Sequence, residues 1–400
     1  MLTALLLAAS VSAPPIPLDA ARRTFEETRL ASEEDGGKLW GKPLYGPLMF
    51  VDPATRFTVA NQADASGVLK PADGVFTGTL PADVPVANHA VTWSGVHWTM
   101  VMWGSLGRRI VSRRRLVLHE CWHRIQNDLG FRASNANNPH LDTVDGRVLL
   151  QLELRALAAA LRASGEERTK AIRDALGYRA ARRAKFADAA KSERALEDNE
   201  GLAEYTGIAL RGTTDAETRA IVAHEIEAVD PATSFVRGFA YQTGPAYGLL
   251  LDALAPGWRQ AFHTGDDLGD ALAAAAKVTA SEPGAAAYHG AELRASEEKR
   301  DREHRELVAR YRALLIDGPT LVLPNADAHY SFDPNAVVSM GAEGVVYPEA
   351  ELSAQWGTLS VKDGVLVPGD YSRFVVAAAH AKDVKLAPGW KVAGGAVVRE

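Results

Sequence analysis

The chain has a single cysteine, Cys121, among its 400 residues, which excludes an intramolecular disulfide and leaves the fold to be held by its apolar core. Cysteine usage therefore says nothing about an oxidising compartment. Net positive charge is also missing. With 44 Lys and Arg against 50 Asp and Glu the formal net charge is −6, so no nucleic-acid partner is expected. The apolar run over the first 13 residues is too short to span a bilayer and no later segment is long enough, so no membrane span is expected in the mature chain. There is no internal repeat, no glycine-rich phosphate-binding signature of value and no nucleophile elbow. The readiest routes to nucleotide binding and serine hydrolysis are thereby removed.

What is present is the composition of a globular protein, 47% hydrophobic and 24% charged, long enough for two or three packed units. The opening stretch MLTALLLAASVSA ends in small residues, with Val11-Ser12-Ala13 resembling a cleavage site. It reads as a signal peptide within residues 1–20, and export to the periplasm or the extracellular space is expected. No Lys or Arg precedes the run, and Pro14 follows the proposed cut.

The expected fold class is α+β. A charged amphipathic helix is expected over Leu18–Glu34, two short strands over Tyr45–Ala60 around Asp52-Pro53, and more strands over Val75–Thr79 and Ala90–Trp103. Residues 21–104 form a β-rich part and 105–317 a helical part, in which Ala, Leu, Arg and Glu recur at three- and four-residue spacing. Helices are expected over Arg147–Ser164, Gln242–Leu254 and Glu292–Leu315. Residues 318–400 turn to Val, Gly, Pro and Asp in short alternating runs such as Gly357–Val361 and Val365–Val367, the texture of a small all-β domain. Trp93, His97, Trp98 and Trp103 lie among β-formers; they are read as core, or as a sheet edge able to hold an extended peptide. The arginines at 108, 109 and 113–115 are read as a solvated helix flank, with an acidic-substrate patch as the alternative.

The chemistry concentrates in Leu116–Gln126, LVLHECWHRIQ. His119 and His123 are four apart in a segment of helical apolar spacing, so both imidazoles leave one helix face and can converge on one metal ion. Glu120 lies about 100° round from His119, beside such a metal, where a general base for a metal-bound water belongs. HExxH on a helix is the zinc-protease signature. Chance is the rival reading, at roughly one chain of this length in a hundred. Cys121 faces backward, about 200° from His119, and is read as a small buried residue.

A third ligand is offered by Asp198-Asn199-Glu200-Gly201-Leu202-Ala203-Glu204-Tyr205. Glu200 and Glu204 are one turn apart, letting one carboxylate reach the metal while the next accepts a hydrogen bond from a ligand imidazole. Gly201 removes a side chain where two helices must approach closely. The alternative is a solvated acidic helix end. Glu153 is a rival ligand, though a single acid on a Leu-rich helix is more often paired with an arginine such as Arg155 or one elsewhere. His97 and the loop residue His140 are read as structural, and His224-Glu225 lacks the second histidine of a zinc motif.

HECWH followed by NEGLAEY resembles the gluzincin metallopeptidases, the thermolysin-like and aminopeptidase-like zinc enzymes, in patches across residues 110–250. The resemblance implies a zincin catalytic domain over 21–317, with Zn2+ held by His119, His123 and Glu200. It implies Glu120 as catalytic base and Glu204 as the acid behind a ligand imidazole. Tyr241-Gln242-Thr243-Gly244 resembles the tyrosine-containing YxxG element of the aminopeptidase-like branch, which implies Tyr241 as a donor to the tetrahedral intermediate. A helix-packing tyrosine is the other reading. The interval between the zinc motifs is much longer than in that branch and no GxMEN-type segment is visible, so aminopeptidase activity is not expected. The residues between the motifs look like an inserted helical hairpin.

The expected function is zinc-dependent hydrolysis of a peptide or protein substrate, with Glu120 taking the proton of a zinc-bound water. A noncatalytic zincin-fold module that binds a peptide or protein is the alternative, and metal-dependent hydrolysis of a nonpeptide amide is a third. Oligomeric state is not legible in the sequence.

Overall fold

The structure is a computed structural model that describes residues 15–400 apart from 135, 231–232, 282, 284–286, 327 and 333–336. The apolar run and cleavage site proposed for the leader fall in 1–14, outside the described residues. The fold class is α+β, as expected. Two compact units divide at Arg294 and Ala295.

In the first unit, helix α1 (Leu18–Asp35) buries Ala21, Phe25, Thr28, Ala31 and Ser32, spaced at three to four residues, and ends on Gly36 in the left-handed conformation. Six strands follow: β1 (Leu48–Val51), β2 (Phe57–Ala60), β3 (Lys70–Ala72), β4 (Val75–Thr79), β5 (His89–Trp93) and β6 (Val96–Met102). They form one sheet in the order β3-β4-β2-β1-β6-β5, antiparallel except for the β1–β6 pair. Strand periodicity decides what each face meets. Phe50 and Val101 face the helical core, whereas Met49, Val51, Trp98 and Met100 form a separate cluster on the other face. Trp98 is therefore core, and Trp103 packs edge-on against Phe50. Strand β5 lies at the edge of the sheet.

The helical part contains α2 (Ile110–Ile125), α3 (Val144–Arg162), α4 (Gly165–Lys185), α5 (Ala189–Leu196), α6 (Leu202–Ala209), α7 (Asp215–Glu227), α8 (Phe235–Gly238), α9 (Ala240–Leu254), α10 (Trp258–Ala261) and α11 (Leu268–Ala276). Helices α3 and α4 pack along each other as the hairpin expected between the two motifs. α3 is capped by the Thr143 hydroxyl and buried on nearly every side, which makes it a central core helix rather than a surface one. A capping box of Thr214 and Glu217 opens α7. Between α5 and α6 the chain makes a π-helical turn, Glu197–Gly201.

The second unit takes most of helix α12 (Gly290–Leu315) and a β region. Sequence texture changes near residue 317, but Tyr311 and Leu315 pack with Val338, Met340, Val346, Leu366 and Val375, which draws the helix into this unit and moves its boundary upstream. The strands form a seven-stranded and a four-stranded sheet that share a core of Leu321, Leu323, Trp356, Val365 and Phe374. Gly357–Val361 and Val365–Val367 are strands with the expected bounds. No helix among the described residues is long and apolar enough to cross a membrane.

Candidate metal centre

Helix α2 docks through Val117, Leu118, Cys121, Trp122 and Ile125, whose spacing puts them on the face turned to the core. Trp122 packs edge-on against Trp40. His119, Glu120 and His123 instead line a cleft of about 640 Å³, together with His89, Ala90, Glu200 and Tyr241. Cys121 is buried away from this cleft, takes a weak hydrogen bond from the Thr99 hydroxyl, and has its thiol pushed up to about 11 by burial. It has no ligand character there.

Glu200 reaches the same cleft from the π-helical turn. Such a turn inserts one extra residue into an otherwise continuous helix and redirects the side chains around it. Two close approaches fix the helices that carry it. A Cβ added to Gly244 on α9 would lie 2.3 Å from Gly201 Cα, and one added to Gly207 on α6 would lie 2.2 Å from the carbonyl oxygen of Arg115 on α2. Gly201 thus serves the close helix contact that the sequence suggested, with Gly244 of the Tyr241 motif opposite it.

His119 Nε2 and His123 Nε2 are 3.2 Å apart, and Glu200 Oε2 lies 3.5 Å from the first and 3.7 Å from the second. Three ligand atoms around a tetrahedral zinc ion with bonds of about 2.0–2.1 Å would be separated by roughly 3.3–3.4 Å, so this triangle has the size of a zinc face. Glu120 also brings an oxygen within 4.8 Å of both imidazoles. Its Oε2 is buried without a hydrogen-bond partner, unlike the tethered Glu200 carboxylate, which leaves it free to take a proton.

The remaining ring nitrogens are committed as donors. His119 Nδ1 donates to Glu204 Oε2 at 2.8 Å, while Arg115 binds the other oxygen of Glu204 and reaches Glu225 at 3.0 Å. His123 Nδ1 donates to Gln126 Oε1 at 2.9 Å, Gln126 Nε2 donates to Asn199 Oδ1 at 2.9 Å, and Asn199 Nδ2 donates to Glu200 Oε1 at 3.0 Å. One hydrogen-bond chain therefore runs from the second imidazole to the third candidate ligand. With acceptors at both Nδ1 atoms, a metal ion that displaced the Nε2 protons would meet two Nε2 lone pairs facing the triangle.

The carboxylates around the cleft favour positive charge at His119. Burial opposes a charged His119, yet the Glu200 and Glu204 carboxylates outweigh it and raise its pKa to about 10. Burial would raise Glu200 as well, but hydrogen bonds with His119, His123 and Tyr241 hold its carboxyl well below the usual range. Glu120 is pushed up by burial, with the neighbouring histidines pulling the other way. Tyr241 is 40% exposed, donates its hydroxyl to Glu200 Oε2 at 2.6 Å, and stacks its ring on the His119 imidazole. Burial and the Glu200 carboxylate push its phenol upward.

The sequence-selected residues at 119, 120, 123, 200, 204 and 241 thus meet at one place, which Glu153 and His140 do not reach. Glu153 pairs with Arg179 and Arg182 rather than Arg155. His140 bonds to Glu193, and His97 lies exposed on the cleft wall beside Thr92. The arginine cluster around the start of α2 is not simply a solvated flank, because Arg113 and Arg115, both within the helix, pair with Glu27 and Glu204, acids contributed by other segments. Gln126 and Asn199 escaped sequence reasoning. Their one local signal was position, three residues after His123 and directly before Glu200.

Comparison with family models, curated proteins and solved structures returned no match.

Proposed function

We propose that the protein is a zinc-dependent metallopeptidase of gluzincin type. The observation that carries this reading is the triangle of His119 Nε2, His123 Nε2 and Glu200 Oε2, with edges of 3.2–3.7 Å, beside the unpartnered Glu120 oxygen. A zinc ion held by these three residues would polarise a scissile carbonyl and bring the pKa of water from about 15.7 toward 7. Glu120 then accepts the proton of the attacking water and returns it to the leaving amine nitrogen, and a carboxyl raised by burial suits both transfers. The Tyr241 hydroxyl, released from Glu200, donates to the developing oxyanion. Removal of a comparable donor costs roughly 2.7–4 kcal/mol elsewhere.

Peptide rather than small-amide chemistry is favoured by the wall of the cleft. His89 and Ala90 belong to β5, the edge strand, whose outer backbone groups can pair with an extended chain. Export is proposed with this function, on the strength of the apolar first 13 residues and their small-residue cleavage site.

The decisive assay is cleavage of a denatured protein mixture. Cleavage abolished by chelator and restored by zinc is the expected result; a zinc-loaded protein that cleaves nothing would leave the noncatalytic binding module as the better reading. A further variant probes the hydrogen-bond chain. Gln126→Leu removes the acceptor of His123 Nδ1 and the donor to Asn199, and zinc affinity is expected to fall by about 10–100-fold on calorimetric titration, the usual effect of losing such a partner.

A further inference from the structure

Deep in the first unit, behind the cleft, lies a network of charged groups with no part in the chemistry above. Arg179 and Arg182 on α4 meet Glu153 on α3, Glu193 on α5, Glu197 at the start of the π-helical turn, and Asp267, which caps α11. Arg179 Nη1 lies 3.1 Å from Glu153 and 3.0 Å from Glu197, and its other terminal nitrogen also binds Glu197. Arg183 ties Glu193 at 2.8 Å to Asp267 at 2.6 Å, and the Tyr247 hydroxyl closes on Glu153 at 2.7 Å. Arg182, Glu153 and Glu193 are 0% exposed.

Stability alone is a poor reason for such a cluster. Removing ions from water costs several kcal/mol each, and well-packed apolar residues of the same volume commonly serve as well or better. What ions supply and apolar groups do not is directional geometry.

The geometry is spent on one turn. A π-helical turn has weaker backbone packing than the α-helix it interrupts, and here Leu202 N–H reaches back five residues to the Glu197 carbonyl. Each of its first four side chains has its own anchor. Glu197 is gripped by Arg179, Asp198 accepts from the Gly265 backbone N–H at 2.8 Å, Asn199 bonds Gln126, and Glu200 accepts from Tyr241. Three of these anchors lie outside α5 and α6 on surface or cleft segments, whereas Arg179 belongs to the helical hairpin between the two motifs.

We infer that the Arg179–Glu197 ion pair is the positioning device for the third metal ligand, and that the α3–α4 hairpin exists in this fold as the rigid back wall that holds the Glu200 turn in register. The pair acts through the turn and touches neither metal nor substrate. This rests on the metal reading of the cleft given above.

The test is Glu197→Gln, which keeps the side-chain shape and removes the charge, read by zinc titration and by the visible spectrum of the cobalt(II)-substituted protein. Zinc affinity is expected to fall by about 10–100-fold with an altered cobalt spectrum. Leu69→Ala, in the cluster on the far face of the sheet, is the control for lost stability and is expected to bind zinc as the unmodified protein does. Wild-type affinity and spectrum in Glu197→Gln would overturn the inference, as would an equal loss in Leu69→Ala. An unmodified protein that binds no zinc would overturn the metal reading itself and this inference with it. Where Glu197→Gln does not fold, Glu197→Asp keeps the charge but withdraws it by one methylene, and is read on the same terms.

Discussion

Glu120→Gln is expected to retain zinc at full stoichiometry and to lower kcat by about 10²–10⁴-fold, the range over which general-base catalysis contributes. The substitution is nearly isosteric, so the α2 face that presents His119 and His123 is kept. It removes a buried, ionisable group in the cleft whose Oε2 has no hydrogen-bond partner. Because burial disfavours that charge by more than His119 and His123 favour it, the metal-free variant is expected to be no less stable than the unmodified protein. Steady-state kinetics on the peptide substrate, metal analysis and thermal melting together read the three effects. A variant with unchanged kcat would remove Glu120 from the mechanism; one without zinc would make it a ligand.

His123→Ala is expected to fail earlier, at metal binding. The imidazole supplies one vertex of the triangle, 3.2 Å from His119 Nε2 and 3.7 Å from Glu200 Oε2. Structural zinc sites draw roughly 10–16 kcal/mol from four ligands, so one ligand is worth roughly 2.5–4 kcal/mol, or about two to three powers of ten in affinity. The substitution also leaves Gln126 Oε1 without its donor. Zinc content after dialysis against buffer is expected to be near zero, with activity lost in proportion. Equal zinc in His123→Ala and the unmodified protein would refute the assignment.

Legibility differed between residues for physical reasons. His119, Glu120 and His123 could be read because an α-helix converts a spacing of one and four residues into a fixed angle, and α2 is an α-helix over that stretch. The side of the helix turned to the core is equally legible, and Cys121, about 200° from His119, is buried on it. Glu200 was harder. Its direction depends on a π-helical turn, and nothing in the composition of Glu197–Gly201 marks the extra residue. The NE motif located the residue; the geometry came from packing.

Pairings between distant segments were the part least written in local pattern. Glu153 needed an arginine, and the neighbour in sequence was Arg155, but Arg155 donates to the Tyr288 carbonyl while Arg179 and Arg182 arrive from the next helix. Arg115 looked like one more solvated cation until its carboxylate partners came from residues 204 and 225. A charge shows its type in the sequence and its partner only in the fold. The change of texture near residue 317 was visible for the opposite reason, since alternating short strands are a local signal, although the helix before it joins the same unit.

The central claim is that two imidazoles and one carboxylate share a zinc ion. Zinc K-edge absorption fine structure of the zinc-loaded protein tests it most directly. The account predicts one zinc per chain with two imidazole nitrogens and light oxygen donors at about 2.0–2.1 Å, and loss of one oxygen donor in Glu200→Ala. A sulfur scatterer at about 2.3 Å, or a spectrum unchanged by Glu200→Ala, would contradict it.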